Sequence, residues 1–535
     1  MQNTVETNQV NPMYETRPRN AGILFHITSL PGPYGIGDIG SASRFFADFL
    51  AYAGVSLWQI LPLGPTGYGN SPYAARSSFA GNELLISPDL LAADGLLSET
   101  ELAGLRDTMS GMNRIDYGIV GTQKLQLIKK AARRLAERFS KTGISASKRT
   151  SPEMGSSDFS SFCKREADWL EDYAVFQVMC ESYNDARWHT VWDKSIAKRD
   201  KEALSKIRAK KADEILDWKI LQYIFECQWQ ELKSYVNKKG IRIIGDLPIF
   251  AAPDSADAWN RLDLFKTDIS GNYISVSGVP PDYFSSTGQL WGNPVYNWKK
   301  NKAEGYAWWT NRIKRLLSQV DLFRIDHFRG FDEYWAVPAT DKTAEHGTWE
   351  KGPGADLFIA LEKKLGKLPV LAEDLGFLTE SVKKLRDDLG FPGMKVCQFG
   401  FENIKDGIFD ARHLFLPHNY SYSWAAYTGT HDNDTAAAWY SSLKEDDKPM
   451  IASYFNCAED ASPADVAWAM IRSVVSSHAQ YAIIPMQDLL GLGAEARINT
   501  PSTCNSENWS WRLTEIPGAD IARRFSELLT LYSRR

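Results

Sequence analysis

The sequence DLFRIDHFRGF occupies residues 321–331 and predicts a short strand that ends in a glycine-containing loop. Side chains alternate along a strand, so Arg324 and Asp326 share one face while Phe323 and Ile325 share the other. A guanidinium close to a carboxylate favours the ionised carboxylate, which a nucleophile or a metal ligand requires. A buried structural ion pair would produce the same pattern, so the choice depends on the surrounding residues.

Seven further segments show short apolar runs of the same kind, several of them followed by loops rich in glycine and proline. Strands that alternate with helical segments predict parallel pairing. The eight predicted strands are 22–26, 57–62, 241–246, 321–326, 369–373, 394–399, 427–430 and 481–485. Eight is the strand count of a (β/α)8 barrel. We therefore predict an α/β fold, a (β/α)8 TIM barrel with large, mainly helical insertions.

The chain divides into a short tail and one large unit. Residues 1–20 are polar and predict a disordered tail, while 21–535 form the predicted catalytic barrel. The segment from about 89 to 239 has mainly helical patterns, including a capping box at 98–101, and predicts a helical insertion. A long loop at about 251–300 is expected to contact substrate.

Composition excludes several classes of protein. A net charge of -5 over 535 residues argues against a nucleic-acid partner. The six cysteines are widely spaced without a Cys-x-x-Cys pair, so neither a zinc ribbon nor a disulfide framework is expected. The N-terminus lacks the apolar core of a signal peptide, and no apolar run approaches the length of a membrane span. We therefore expect a cytoplasmic protein without membrane contact.

Acidic residues follow four of the predicted strands: Asp246, Asp326, Glu373 with its neighbour Asp374, and Asp432. In barrels of this type, functional groups lie at the C-terminal ends of the strands. One acid after a strand is often a helix N-cap, whereas four at equivalent places predict a functional site.

Two chemical interpretations of this acidic cluster remain open on the residues alone. Two carboxyl groups about 5–5.5 Å apart, one ionised and one protonated, are what retaining glycoside chemistry requires. A metal site is the alternative, because His327 and His431 adjoin two of the acids and could join as ligands. The loop at 279–293 mixes aromatic rings with amide and carboxylate groups, which suits an oligosaccharide groove or, alternatively, a packed turn-rich loop.

The chain resembles the amylomaltases, or 4-α-glucanotransferases (disproportionating enzymes), of the α-amylase clan. The resemblance runs from Gly22 to Arg512, nearly the whole chain. It rests on the motifs TSLPGPYG at 28–35, LPLGPTGY at 61–68, GDLPIF at 245–250, the loop 281–293, RIDHFRG at 324–330, AEDLG at 372–376 and TGTHDNDT at 428–435.

The resemblance implies a role for each matching residue. Asp326 would be the nucleophile, Glu373 the acid/base and Asp432 the stabiliser of the transition state. Arg324 would fix Asp326, and His431 would bind sugar hydroxyls with Asp432. The remaining implied subsite residues are Ser71, Tyr73, Asp282, Gln289, Trp291 and Asn499, with Tyr68 at a secondary glucan contact. No metal or cofactor is implied.

The implied reaction is a retaining transfer of α-1,4-glucan segments from a donor maltooligosaccharide to the 4-hydroxyl of an acceptor glucan or glucose. It would proceed through a covalent glucosyl-enzyme, in a monomer or a homodimer. The alternative is an α-glucan hydrolase of the amylase type. In those enzymes an Asn-His pair usually follows the acid of the third strand, whereas Asp246 is followed by Leu-Pro-Ile, which favours the transferase. Two departures concern loops: Ser502 stands where the family often has glycine, and Glu83 where proline is common.

Overall fold

The computed structural model describes residues 17–142, 156–281, 285–376, 378–402, 404 and 408–535. Eight parallel strands form one sheet: β1 Asn20–Leu24, β2 Leu57–Gln59, β3 Arg242–Pro248, β4 Leu322–Asp326, β5 Val370–Ala372, β6 Gly393–Val396, β7 Trp424–Tyr427 and β8 Tyr481–Pro485. Their spatial order is β6-β7-β8-β1-β2-β3-β4-β5. The amide of Ala372 donates to the carbonyl of Pro392 at 2.8 Å, which joins the two edges of the sheet. The predicted (β/α)8 barrel is confirmed.

Strand ends differ from the predicted ends where the chain leaves the barrel. β8 matches its prediction, whereas β7 ends at Tyr427, where the predicted strand begins. The strand predicted at 394–399 ends at Val396 and continues as a 3-10 helix, Cys397–Phe401. Threonine and aromatic residues favour strands by propensity, but here they belong to loops at the barrel rim, where tertiary contacts determine the conformation.

Helices surround the barrel and fill the interval between β2 and β3. The α-helices of the described residues are Ser41–Tyr52, Pro88–Ala93, Glu99–Thr108, Tyr117–Ile119, Leu125–Thr142, Ser156–Arg165, Leu170–Tyr183, Lys194–Ala197, Lys201–Lys210, Ala212–Lys238, Ala256–Asn260, Trp298–Ala303, Ala307–Gln319, Ala355–Leu365, Glu380–Asp388, Ala436–Ser442, Lys448–Tyr454, Pro463–Ser476, Met486–Leu489 and Ala519–Leu531. Within this described part, none of the helices combines the length and apolar character that a bilayer span requires.

Hydrogen bonds between buried polar side chains connect the helices between β2 and β3 to the barrel. Glu83 is only 4% exposed, and its Oε1 accepts hydrogen bonds from the hydroxyl of Tyr173 and from Nε2 of Gln222, both at 2.5 Å. Gln222 also donates to the carbonyl of Gly81 at 2.9 Å. Burial raises the pKa of Glu83 to about 7.

A second, antiparallel sheet stands beside the mouth of the barrel. Its strands, in spatial order, are Gln289–Pro294, Ser275–Val279, Glu333–Pro338 and Thr348–Lys351. The first two come from the long loop after β3 and the other two from the loop after β4. The sheet therefore joins the predicted substrate loop to the segment that follows Asp326.

The N-terminal tail predicted at 1–20 falls mainly on residues 1–16, outside the described residues. Of the predicted tail, residues 17–20 are described, and Asn20 is the first residue of β1. Arg19 donates from Nη1 to the carbonyl of Ser477 at 2.8 Å and from Nη2 to that of Tyr532 at 2.6 Å.

Candidate active site

Strand register brings four charged residues together at the mouth of the barrel. Asp246 of β3 pairs directly with Arg324 of β4. Ile325 pairs with Ala372 of β5, so the next residues, Asp326 and Glu373, follow at the same level. Since residues opposite each other on parallel strands share a face, all four point into the barrel.

Arg324 links the three carboxyl groups around it. Its Nη1 donates to both carboxylate oxygens of Asp246, at 3.0 and 2.8 Å. Its Nη2 lies 2.9 Å from Oδ1 of Asp326 and 3.9 Å from Oε2 of Glu373. The side chain of Asp326 is 30% exposed and that of Glu373 11%, whereas that of Asp246 is 0% exposed. Asp326 and Glu373 can meet a substrate, and Asp246 serves as the buried anchor of the guanidinium.

The shared nitrogen of Arg324 limits how far apart the two accessible carboxyls can be. Its contacts of 2.9 and 3.9 Å place the Asp326 and Glu373 oxygens at most about 7 Å apart. Retaining glycosidases have carboxyl separations of about 5–5.5 Å and inverting enzymes about 6.5–9.5 Å. The limit applies to Oδ1 of Asp326 and Oε2 of Glu373, and it is compatible with the separation of retaining enzymes.

Backbone amides hold both oxygens of Glu373. Oε2 accepts from the amide of His327 at 2.7 Å, and Oε1 accepts from the amide of Leu375 at 2.7 Å. The first of these bonds comes from an unusual conformation, because His327 has φ +53° and ψ 50°, in the left-handed region. Residues other than glycine rarely adopt that region, and such conformations cluster at functional sites.

Burial raises the pKa values of both accessible carboxyls by similar amounts. It raises the pKa of Glu373 to about 7 and that of Asp326 to about 6, while the Arg324 cation acts against burial at both. The sequence-based expectation that Arg324 would favour the ionised Asp326 therefore describes the smaller of two effects. Arg324 is itself bonded on Nη1 to Asp246, and desolvation of Asp326 outweighs its attraction. The order remains informative: Asp326 has the lower pKa of the coupled pair, so it ionises before Glu373.

Asp432 reaches the same mouth from the loop after β7. Its Oδ1 accepts from Nδ2 of Asn499 at 2.7 Å, and its Oδ2 lies 3.3 Å from Nε2 of His431. Burial acts to raise the pKa of Asp432, but the His431 ring and the Asn499 amide hold it well below the usual range. These contacts therefore favour the ionised carboxylate, and its side chain is 44% exposed.

Tyr73 connects the two halves of the site. Its hydroxyl donates to Oδ2 of Asp246 at 2.7 Å, and its ring stacks on the His431 ring with centroids 5.1 Å apart. The amide of Tyr73 donates to Oγ of Ser71 at 3.2 Å, which caps the short helix that carries it. The predicted residues Ser71, Tyr73 and His431 are thus joined to the acid cluster.

Trp291 and Gln289 lie on the sheet beside the mouth. The Trp291 ring meets the His327 ring edge-on at 4.7 Å between centroids, and its indole nitrogen donates to Oε1 of Gln289 at 3.3 Å. Tyr68 is 81% exposed and lies against the thiol of Cys504, farther from the acids. The predicted subsite residue Asp282 lies outside the described residues.

Asp374 has a structural role, although it stands beside Glu373 in sequence. Its Oδ1 accepts from the amide of Met394 at 2.8 Å, and its Oδ2 pairs with Arg386. The metal interpretation finds no support in the ligand geometry: among the described residues, no group of three or more His, Cys, Asp or Glu side chains could hold an ion.

Comparison with known proteins identifies the family. A family model described as 4-alpha-glucanotransferase matches residues 25–517. The chain belongs to the 4-alpha-glucanotransferase family. A relative of that name from Synechocystis sp. is 45% identical over 522 residues, covering 97% of this chain and 98% of the relative. Another from Thermus thermophilus is 43% identical, covering 94% and 95%.

The fold comparison agrees with the family. A solved amylomaltase from Streptococcus agalactiae, in complex with acarbose, superposes with a TM-score of 0.88 at 36% identity, covering 96% of this chain and 99% of that one. The sequence-based assignment to the amylomaltases is confirmed. This 4-alpha-glucanotransferase is a glycosyltransferase-type enzyme acting on α-glucans, and the hydrolase alternative is not supported.

Sequence reasoning missed two contributions to this 4-alpha-glucanotransferase site. Trp509 packs near the Tyr73 and His431 rings, at 5.9 Å from each. Arg497 donates from Nη2 to the carbonyl of Asp432 at 2.8 Å. Neither follows a predicted barrel strand directly, and the only signal was the proximity of Arg497 to Asn499 in the sequence.

Proposed function

We propose that this enzyme transfers α-1,4-glucan segments between maltooligosaccharides in two steps that retain the anomeric configuration. Asp326 is the nucleophile, Glu373 the acid/base and Asp432 the stabiliser. The observation that carries the proposal is the shared Arg324 nitrogen, which holds the two accessible carboxyls within about 7 Å while their pKa values differ.

In the first step, an ionised oxygen of Asp326 attacks the anomeric carbon of the donor. The glycosidic C–O bond breaks, and the proton of Glu373 passes to the departing oxygen, so the shortened chain leaves as an alcohol. A β-linked glucosyl-enzyme and an ionised Glu373 remain. Arg324 donates to the attacking carboxylate and fixes its orientation before substrate arrives.

In the second step, the 4-hydroxyl of an acceptor glucan or glucose enters beside Glu373. The carboxylate takes the hydroxyl proton as the oxygen attacks the anomeric carbon, and the bond to Asp326 breaks. A new α-1,4 bond forms, and both carboxyls return to their starting protonation states. The pKa of Glu373 near 7 suits a group that must give and take one proton in each cycle.

Asp432 provides a fixed negative charge where positive charge develops on the sugar. In an oxocarbenium-like transition state, hydrogen bonds from ring hydroxyls to such a carboxylate strengthen. His431 and Asn499 hold the Asp432 carboxylate in place through its two oxygens. These contacts support a role for all three residues at the reacting sugar.

The remaining predicted residues extend the groove on either side. Trp291 presents a ring that is 38% exposed, and Gln289 lies beside it with amide groups for hydroxyl contacts. Tyr73 stacks on the His431 ring with Ser71 bonded to its amide, and Tyr68 offers an exposed ring for a secondary contact with glucan. Asp282 belongs to the same proposal on resemblance alone.

Incubation with maltotriose tests the proposal. Transfer produces glucose together with a ladder of longer maltooligosaccharides, because each released segment is attached to another chain. Shortening of the substrate alone, with a matching rise in reducing ends, would overturn it. Action in the cytoplasm, as a monomer or homodimer, belongs to the same proposal, and gel filtration with light scattering checks the oligomeric state.

A further inference from the structure

Two irregular segments hold the third acid of the site. Asp432 lies on the loop after β7, and Asn499 lies in the segment that follows the helix Met486–Leu489 and the 3-10 helix Ala494–Ala496. The amide of Asn499 donates to the carbonyl of His431 at 3.1 Å, and its side chain donates to Oδ1 of Asp432 at 2.7 Å. Because no ladder of strand hydrogen bonds reaches this level, the position of the Asp432 carboxylate depends on contacts between the two segments.

Arg497 contacts both segments with all three nitrogens of its guanidinium. Nε donates to the carbonyl of Asn499 at 2.8 Å, and Nη2 donates to the carbonyl of Asp432 at 2.8 Å. Nη1 lies 3.7 Å from Oδ2 of Asp434. One guanidinium thus binds the backbone of both residues whose side chains form the bond between Asn499 and Asp432.

We propose that Arg497 is a positioning residue, which holds Asp432 and Asn499 at the separation that presents the Asp432 carboxylate to the sugar. The proposal rests on the role proposed above for Asp432. Arg497 acts on the reaction through the two backbone carbonyls. A planar guanidinium reaches several acceptors in fixed directions, whereas a lysine ammonium is a single point of charge on a flexible chain.

Replacement of Arg497 tests whether this contact matters for catalysis. Displacement of a catalytic group by about 1 Å costs roughly 100-fold in rate, so Arg497→Ala is expected to lower kcat for transfer from maltotriose by about 10- to 100-fold. KM should change less than kcat, because Trp291 and Gln289 of the groove make no contact with Arg497 and stay in place. Arg497→Lys should recover only part of the loss. A kcat for Arg497→Ala equal to that of the wild type would overturn the proposal.

The chain offers a matched control in Arg138. Its guanidinium donates to the two consecutive carbonyls of Asp94 and Gly95, at 3.2 and 3.3 Å, in the helical region far along the chain from the site. Arg138→Ala removes the same kind of contact and should leave kcat within about twofold, even if it lowers the melting temperature. An equal loss of kcat in both variants would reveal a general effect on folding and overturn the positioning role.

A double-variant cycle separates positioning from an independent effect. Arg497→Ala is introduced into Asp432→Asn, and rates are measured with maltosyl fluoride, whose good leaving group keeps residual turnover measurable. If Arg497 acts through Asp432, its removal should cost less than about threefold in that background. The same loss in both backgrounds would overturn the inference.

The double-variant cycle also distinguishes failure of the positioning role of Arg497 from failure of the proposed role of Asp432. If Asp432→Asn keeps wild-type kcat, the proposed role of Asp432 fails, and the inference fails with it. If Asp432→Asn is impaired while Arg497→Ala is unaffected, only the positioning role fails. Partial recovery of Arg497→Ala by added guanidinium ion, absent in Arg138→Ala and in the wild type, would support the positioning role. Its absence would count against it.

Discussion

Two buried glutamates of this enzyme have the same pKa and different surroundings. Burial raises the pKa of both Glu373 and Glu83 to about 7. Glu373 accepts from two backbone amides at the barrel mouth and stands near a second accessible carboxyl. Glu83 accepts from Tyr173 and Gln222 where the helices between β2 and β3 meet the barrel.

A raised pKa does not by itself identify a catalytic glutamate. Desolvation is the largest cause of the shift in both glutamates, and the Asp326 charge adds to it at Glu373, so a raised pKa by itself reports mainly burial. Catalysis additionally needs access for the substrate, a partner of opposite protonation state, and rigid support. Glu373 has all three of these, whereas the bonds around Glu83 connect structural elements to each other. The following experiments separate the catalytic role of Glu373 and its partner from the structural role of Glu83, in order of expected effect.

Removal of the partner carboxyl should have the largest effect. Asp326→Asn replaces the nucleophile with a group that cannot form the glucosyl-enzyme, and transfer from maltotriose should fall by about 10⁴-fold or more. Glucose release measures the rate, and circular dichroism checks the fold. Turnover above about 1% of the wild type would show that the nucleophile is misassigned. Glu83→Gln, the matched change of a buried acid, should stay within about twofold.

Removal of the acid/base should depend on the leaving group. Glu373→Gln cannot donate a proton, so transfer from maltotriose should fall by roughly 10²–10⁴-fold. Formation of the glucosyl-enzyme from maltosyl fluoride needs no such proton and should be reduced far less, as a burst of fluoride release would show. Equal losses with the two donors would contradict the acid role.

The pH profile should follow the coupled titration of the two acids. Activity needs Asp326 ionised and Glu373 protonated, so kcat/KM should fall below about pH 6 and above about pH 7. With maltosyl fluoride, the alkaline fall in the first step should disappear, because protonated Glu373 is no longer needed there. A profile whose alkaline limb is the same for both donors would assign that limb to another group.

Glu83 should instead affect stability. Its pKa in the fold is about 7, above the ordinary value of 4.5, so the folded state binds more protons between these values. Stability from this group is present below about pH 4.5 and lost as pH rises through 7. Glu83→Gln keeps an oxygen for Tyr173 and Gln222 and should remove a cost of about 3 kcal/mol at pH 8 and of less than about 1 kcal/mol at pH 5.

Urea unfolding at the two pH values measures this difference. The exposed Glu459→Gln is the control, since its replacement should change the unfolding free energy by less than about 0.5 kcal/mol at either pH. A Glu83→Gln effect that is independent of pH would mean that the carboxyl does not titrate between the folded and unfolded states as described.

The smallest effect concerns Ser502, where the family often has glycine. Its φ is +62°, in the left-handed region that costs residues other than glycine about 1 kcal/mol. Ser502→Gly relieves this cost but makes the unfolded chain more flexible, so the gain should be at most about 1 kcal/mol. Ser502→Ala keeps the conformation and should give no gain. Equal stability changes in both variants would rule out backbone strain as the cause.

The periodic parts of this enzyme could be predicted from its sequence. Eight strands were predicted because apolar runs and glycine-rich loops recur, and strand alternation placed Arg324 beside Asp326, now 2.9 Å apart. Their places after predicted strands pointed to Glu373 and Asp432, and the resemblance to amylomaltases implied a role for each. Both parts rest on local patterns, which do not require knowledge of the distances between loops.

Features that depend on contacts between segments far apart in the sequence could not be predicted. Asp246 looked like another catalytic candidate, and only the complete absence of exposure of its side chain shows that it anchors Arg324. The net pKa of Asp326 depends on how deeply the loops bury it. The role of Arg497 depends on contacts between the loop that contains Asp432 and the segment that contains Asn499. Hydrophobic periodicity in the sequence does not indicate such contacts.

The two amides that bind Glu373 also determine where its proton can sit. Each carboxyl oxygen has two lone pairs, and the His327 and Leu375 amides already occupy one on each oxygen. A proton on Glu373 is therefore confined to the remaining lone pairs, and it leaves and returns along few directions. The side chain has no need to rotate between giving a proton to one sugar oxygen and taking one from the next. Glu373 can thus serve the departing glucan and the incoming glucan in the same side-chain conformation, while only the glucan chains exchange.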